Sequence, residues 1–176
     1  LLTLQSSDPN DLLIVASTII SGVNNDFDPF NTVTFTNNNS VINGFTITGT
    51  ADYGIYVFGS DNITISNNHV NYSGSPVSGS TRSGIYINSS TNSTISGNIT
   101  DHNSSHGILL TNGSSNNTVS NNLAFANAEQ WQRNATGIHV NGSGSYNNTI
   151  FHNITYANED SGLQFFNSAH NNFVIG

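Results

Sequence analysis

One four-residue phrase recurs five times along this 176-residue chain: glycine, then Ile or Leu, then any residue, then an apolar one. It stands at Gly54 to Val57, Gly84 to Ile87, Gly107 to Leu110, Gly137 to Val140 and Gly162 to Phe165, at glycine spacings of 30, 23, 30 and 25. After a short turn each copy is followed by a second phrase, opening at Asn62, Asn92, Asn116, Asn147 and Asn171. A third opens at Asn68, Asn98, Asn122 and Asn153. A looser copy runs from Thr32 to Thr48, with Val33, Phe35, Ile42 and Ile47 as its apolar positions. Within each phrase apolar residues alternate with polar ones, which is the period of a strand, not of a helix. One copy buries too little to fold alone, whereas stacked copies bury a continuous apolar column. The pattern predicts a β-solenoid of about 22 to 25 residues per coil, each strand pairing in parallel with its equivalent one coil away.

Composition supports this only once the register is known. Asn, Ser and Thr number 31, 25 and 18, so disorder is an early rival. Recurrence in register removes it. Stacked coils set like residues about 4.8 Å apart, close enough for one Asn amide to donate to the next. Ladders are expected through Asn62, Asn92, Asn116, Asn147 and Asn171, and through Asn68, Asn98, Asn122 and Asn153.

The absences exclude several classes. There is no Lys, and the only cations, Arg82 and Arg133, face ten acids, for a net charge of −8. Nucleic acid as a partner is set aside, because no basic footprint exists. Lysine-dependent nucleotide enzymes are excluded, and so are disulfide or thiolate-metal domains, since Cys is absent. The longest apolar run, Leu12 to Ile20, is too short for a membrane span.

These phrases resemble the right-handed parallel β-helix repeat family, which includes pectate lyases, polygalacturonases and many carbohydrate-binding or surface proteins. The segment from Val33 to Thr48 looks like that family's lead-in coil. The resemblance covers Thr32 to Gly176, with Leu12 to Gly22 as an earlier coil. It implies an all-β fold, a right-handed single-stranded parallel β-helix of about six to seven coils. The whole chain, residues 1–176, reads as one domain: a lead-in coil over 1–31 and repeat coils over 32–176. With no initiator Met and no polar cap, it reads as a fragment or mature part of a longer chain, and end-to-end stacking into a homo-oligomer is expected.

The family's lyases and hydrolases would place calcium-binding carboxylates, a Lys or Arg base, or an Asp cluster on an outward sheet face. Here the outward rows read Tyr56, Tyr86, Leu109, His139, Gln164 and Phe58, Asn88, Thr111, Asn141, Phe166. Neither holds a carboxylate pair, which weakens an enzyme reading. His139 is available as a base without an evident acidic partner. Two turns are enlarged, from Asn71 to Ser83 and from Asn127 to Thr136, and they carry Arg82, Trp131 and Arg133. Aromatic and planar cationic groups suit sugars, so Tyr56, Phe58, Tyr86, His139, Trp131, Arg82 and Arg133 form the candidate carbohydrate surface. The plainer alternative has Trp131 anchoring its loop and Arg82 pairing with Asp52.

The six histidines show no ligand motif and read as scattered surface residues. No cofactor is expected. Asp26 and Asp28 offer hard oxygen ligands for Ca²⁺ but lack the spacing of a calcium loop. Thirteen Asn-x-Ser/Thr sequons are present. Composition alone accounts for more than half of them, and the turn sites Asn71, Asn103, Asn134 and Asn141 are the candidates for glycosylation. Together these features predict an extracellular or cell-surface structural or adhesive solenoid with a polysaccharide or covalent glycan as its partner. A carbohydrate-binding module and a lyase or hydrolase with an incomplete site are the alternatives.

Overall fold

The alternating phrases become three parallel sheets in the computed structural model, which describes residues 2–22, 30–50, 52–74, 82–128 and 135–176. Sheet A holds Leu2–Gln5, Ser40–Asn43, Thr64–Ser66, Thr94–Ser96, Thr118–Ser120, Thr149–Phe151 and Phe173–Ile175, stacked in that order. Sheet B holds Ile19–Ser21, Thr46–Thr50, His69–Ser73, Ile99–Asp101, Leu123–Phe125 and Ile154–Tyr156. Sheet C holds Val33–Phe35, Ile55–Phe58, Ile85–Asn88, Ile108–Thr111, Thr136–Asn141 and Ser161–Phe166. Each turn of the chain visits A, B and C once, so every pairing joins a residue to its equivalent in the next copy.

The register puts the apolar columns inside. Ile42, Ile65, Ile95, Val119 and Ile150 stack along sheet A, and Ile55, Ile85, Ile108 and Ile138 along sheet C. All are at most 2% exposed, and burying each contributes roughly 1.5–3 kcal/mol. The column of sheet B narrows from Ile47 and Val70 to Thr100 and Ala124. The Thr100 hydroxyl is fully buried there and has no hydrogen-bond partner among the described residues. Thr100→Val keeps the shape and removes the orphan, so it is expected to stabilise the fold by about 1 kcal/mol in chemical denaturation. A loss of stability would show that the hydroxyl is bonded.

The recurrent glycines lie where the chain turns from sheet B into sheet C, and they are required by close approach. A Cβ on Gly107 would stand 2.5 Å from the Thr100 Oγ1 and 2.7 Å from the Gly137 carbonyl.

One helix interrupts the pattern. Leu12–Ser17, expected as part of an earlier coil, forms α1, and only Ile19–Ser21 of that stretch is strand. Asp11 caps α1, its carboxylate accepting from the Leu13 N–H at 2.8 Å. Sheets A and B still continue through residues 2–22.

The asparagine columns divide by role. Asn68, Asn98, Asn122 and Asn153 form the expected ladder, with Nδ2 to Oδ1 distances of 3.0–3.1 Å. Asn62, Asn92, Asn116, Asn147 and Asn171 do not. They occupy exposed corners at φ of 53–60°, where the short polar side chain tolerates left-handed backbone. The rungs beside them lie one residue on, at Ser93, Asn117, Asn148 and Asn172. A third ladder, Asn103, Asn127 and Asn158, runs along the corner between sheets B and C at 2.9 Å per rung.

Candidate functional site

The outer face of sheet C carries the expected rows in register: Tyr56 over Tyr86, then Leu109, His139 and Gln164, with Phe58 over Asn88 alongside. The tyrosines do not offer open ring faces. Tyr53, which the sequence reading passed over, stacks on Tyr86 at 4.3 Å and 5° between planes, and Tyr56 stacks on Tyr86 at 5.4 Å. The three tyrosine rings lie nearly parallel, each within 5.5 Å of the other two, and the hydroxyls of Tyr53 and Tyr56 accept from Arg82 and Asn88. Phe58, half exposed, lies two residues on in the same strand as Tyr56, with its ring 6.0 Å from that of Tyr56. Burial raises the phenol of Tyr86 to about 12 and that of Tyr53 above its ordinary value, so both remain hydroxyl donors at neutral pH.

Arg82 is committed elsewhere. Its Nε lies 2.7 Å from the Asp52 carboxylate, its Nη1 donates to the Tyr53 hydroxyl at 3.3 Å, and its guanidinium sits 5.1 Å from the Tyr53 ring centre. Asp52 pairs with it in poor alignment for a hydrogen bond, and burial outweighs the attraction, so its carboxyl is raised above the usual value. The ion-pair alternative for Arg82 is therefore the geometry found.

His139 is a buried residue, not an open groove floor. His106, read from the sequence as a surface residue, is also buried. The Thr136 N–H donates to His106 Nδ1 at 3.0 Å, which leaves the proton of neutral His106 on Nε2. That nitrogen faces His139 Nδ1 at 3.1 Å, so the proton of His139 in turn sits on Nε2. The chain of bonds makes His139 a donor and denies it the role of base. Burial drives His106 down to about 3, helped by neighbouring His139, and burial also lowers His139 against the attraction of Asp160.

A second cluster, also missed, lies on the outer face of sheet B. Asp101 is nearly buried, with His69 Nε2 at one carboxylate oxygen and His102 Nδ1 at the other, the latter at 2.6 Å. Desolvation opposes its charge, yet the two imidazole contacts hold the carboxyl below its ordinary value. His69 pairs with Ile99 in the ladder, so Asp101 is its diagonal neighbour two residues on. That offset was the available signal.

Of the sequon candidates, Asn103 is corrected. It is 1% exposed, and its amide donates to the Val70 carbonyl and to Asn127, so a glycan has no room there. Asn71 is half buried with its amide against His69, and Asn141 is half exposed. Trp131, Arg133, Asn134, Asp26 and Asp28 lie outside the described residues. Among those described, no group of three or more acidic, His or Cys side chains could hold a metal ion, and no helix is long and apolar enough to cross a membrane.

The family model of the right-handed β-helix region matches residues 13–176, and the chain belongs to that family. Among solved structures it is similar to a mutant of the periplasmic alginate epimerase AlgG, at 18% identity and a TM-score of 0.49, over 78% of this chain and 46% of that one. The chain thus spans less than half the length of that enzyme, and the likeness concerns the fold alone. No curated protein matches the sequence.

Proposed function

We propose that this chain is an extracellular, adhesive β-helix surface module that holds a neutral polysaccharide along the outer face of sheet C. The observation that carries this reading is the uncharged strip of that face. Tyr56, Tyr86, Leu109 and, past buried His139, Gln164 follow one another from strand to strand, with the half-exposed ring of Phe58 beside Tyr56. From Tyr56 to Gln164 the strip spans four strand steps, about 19 Å, which suits an extended oligosaccharide lying parallel to the solenoid axis. An acidic glycan would need cations, and Arg82 is already matched by Asp52. The absence of Cys and the half-exposed sequon at Asn141 fit an extracellular setting.

The test is retention on immobilised polysaccharides. Neutral glucans, mannans and xylans are expected to hold the protein, and pectate and alginate to let it pass. Phe58→Ala, at a half-exposed position, should cut retention about tenfold, equivalent to roughly 1.4 kcal/mol, with the melting curve unchanged. Retention on the acidic polymers alone, or equal retention by the variant, would overturn the reading.

A further inference from the structure

A groove of about 260 Å³ opens between α1 and the corner where sheet A passes into sheet B. It lies on a different face from the strip of sheet C and shares no residue with it. Leu12 and Val15 of α1 wall one side, Ile99 lies opposite, and the amide residues Asn10 and Asn67 and the ring of His69 supply the polar lining. Asn67 reaches across to Asn10 with an Nδ2 to Oδ1 distance of 3.4 Å, which ties the α1 segment to the corner.

His69 is the group here with chemistry to spare. Its Nε2 is held against the Asp101 carboxylate, and because Asp101 stays ionised that nitrogen carries the proton. The Asn71 amide also meets Nε2, at 3.2 Å; its oxygen has no other partner, and an oxygen is what an N–H at that place requires. In the neutral form of such a ring the lone pair is on Nδ1. That atom has no partner among the described residues, and it is not among the polar atoms sealed from solvent. Asp101 thus orients the ring as carboxylates orient imidazoles elsewhere, fixing both tautomer and plane.

The lining selects the ligand. Among the described residues no cation borders the groove, and Asp8 and Asp11 stand at the head of α1, which disfavours an anion. An apolar wall facing amides and one imidazole acceptor matches a ring with an apolar face and a hydroxyl edge. We propose that this groove binds one neutral sugar ring, with a sugar hydroxyl donating its hydrogen bond to Nδ1 of His69. Leu12 and Val15 cover the carbon face of the ring. His69 binds, and the groove needs no help from sheet C.

The experiment follows the imidazole nitrogens of the ¹⁵N-labelled protein by NMR at pH 8, during titration with the methyl glycosides of glucose, galactose, mannose and N-acetylglucosamine. With at least one glycoside, His69 Nδ1 is expected to move saturably away from the position of an unbonded acceptor nitrogen. Leu12→Asp, at a position 69% exposed, should leave folding intact and weaken that response about tenfold or more, since a charge replaces the apolar wall. An unmoved His69 with all four glycosides overturns the proposal, as does a response that Leu12→Asp leaves unchanged. Phe58→Ala must keep the His69 response. If it does while the wild type fails to bind any polysaccharide column, the sheet C reading falls and the groove stands.

Discussion

Asn122→Leu is expected to destabilise the fold by about 3–5 kcal/mol, a large share of the roughly 5–15 kcal/mol that holds a domain together. Asn122 is 1% exposed and serves four groups. Its oxygen accepts from the Asn98 N–H at 2.9 Å and from the Asn98 amide at 3.0 Å. Its own amide donates to the Ile95 carbonyl at 2.9 Å and to Asn153 at 3.0 Å. Leucine fits the volume and answers none of them. The buried backbone N–H of Asn98 would lose its acceptor, at a cost of about 1–3 kcal/mol, and the Ile95 carbonyl and the Asn153 oxygen would each lose one donor, the latter keeping the Asn122 N–H. The control is Asn116→Gly. Asn116 sits at an exposed corner with φ of 57°, and among the described residues its side chain makes only a 3.4 Å contact to Ser115. Glycine adopts that backbone without strain, so the change should cost less than about 0.5 kcal/mol. Urea denaturation of both variants measures the difference. Equal losses would mean that the buried column is not the structural one.

The contrast between Asn122 and Asn116 also shows what the sequence makes legible. Strand identity, register and the apolar columns follow from period and spacing, because the fold repeats them once per coil. The column of Asn62, Asn92 and Asn116 recurs just as strictly, yet recurrence alone does not say whether a residue faces inward or turns a corner. Alternation gives that answer inside a strand and loses it at a bend, where the adjacent Asn117 and Asn148 take the rungs instead. The ladder of Asn103, Asn127 and Asn158 left a usable sign. Its spacings of 24 and 31 equal those of Asn98, Asn122 and Asn153, five residues earlier. The candidate site was legible where it lies on a strand, as for Tyr56, Tyr86 and Phe58. It was illegible where side chains meet across a corner. His106 and His139 are 33 residues apart, out of step with the 30-residue register of the adjoining strands, and meet on a diagonal at 3.1 Å, His106 from a turn position before the strand. Stacking of Tyr53 on Tyr86 likewise depends on a turn residue outside any repeat phrase.

The pair of His106 and His139 makes this fold sensitive to acid. His106 is 8% exposed and titrates near 3 in the folded chain, against about 6.5 when unfolded. The unfolded chain therefore binds the proton first, and acid favours unfolding. Stability from this group is complete above pH 6.5 and falls as the pH drops toward 3, by about 1.4 kcal/mol per unit. About 2 kcal/mol is lost by pH 5, and the full window is worth on the order of 5 kcal/mol. His139, also lowered, adds a loss of the same sign. Asp101 contributes only further down, below the ordinary carboxylate value, because its folded carboxyl is depressed. Asp52 acts in the opposite sense, since its raised carboxyl binds protons more readily when folded. Asp101 acts only below the ordinary carboxylate range and Asp52 opposes a decline, so a loss of stability between pH 5 and 6.5 reports the histidines. Urea melts at pH 7.5, 6.5, 5.5 and 5.0 should show it directly. His106→Gln retains an oxygen to accept from the Thr136 N–H and removes the titrating ring, so its stability should be flatter over the same interval. A wild-type protein equally stable at pH 7.5 and 5.0, or a variant with an unchanged slope, would show that the buried pair is not what acid acts upon.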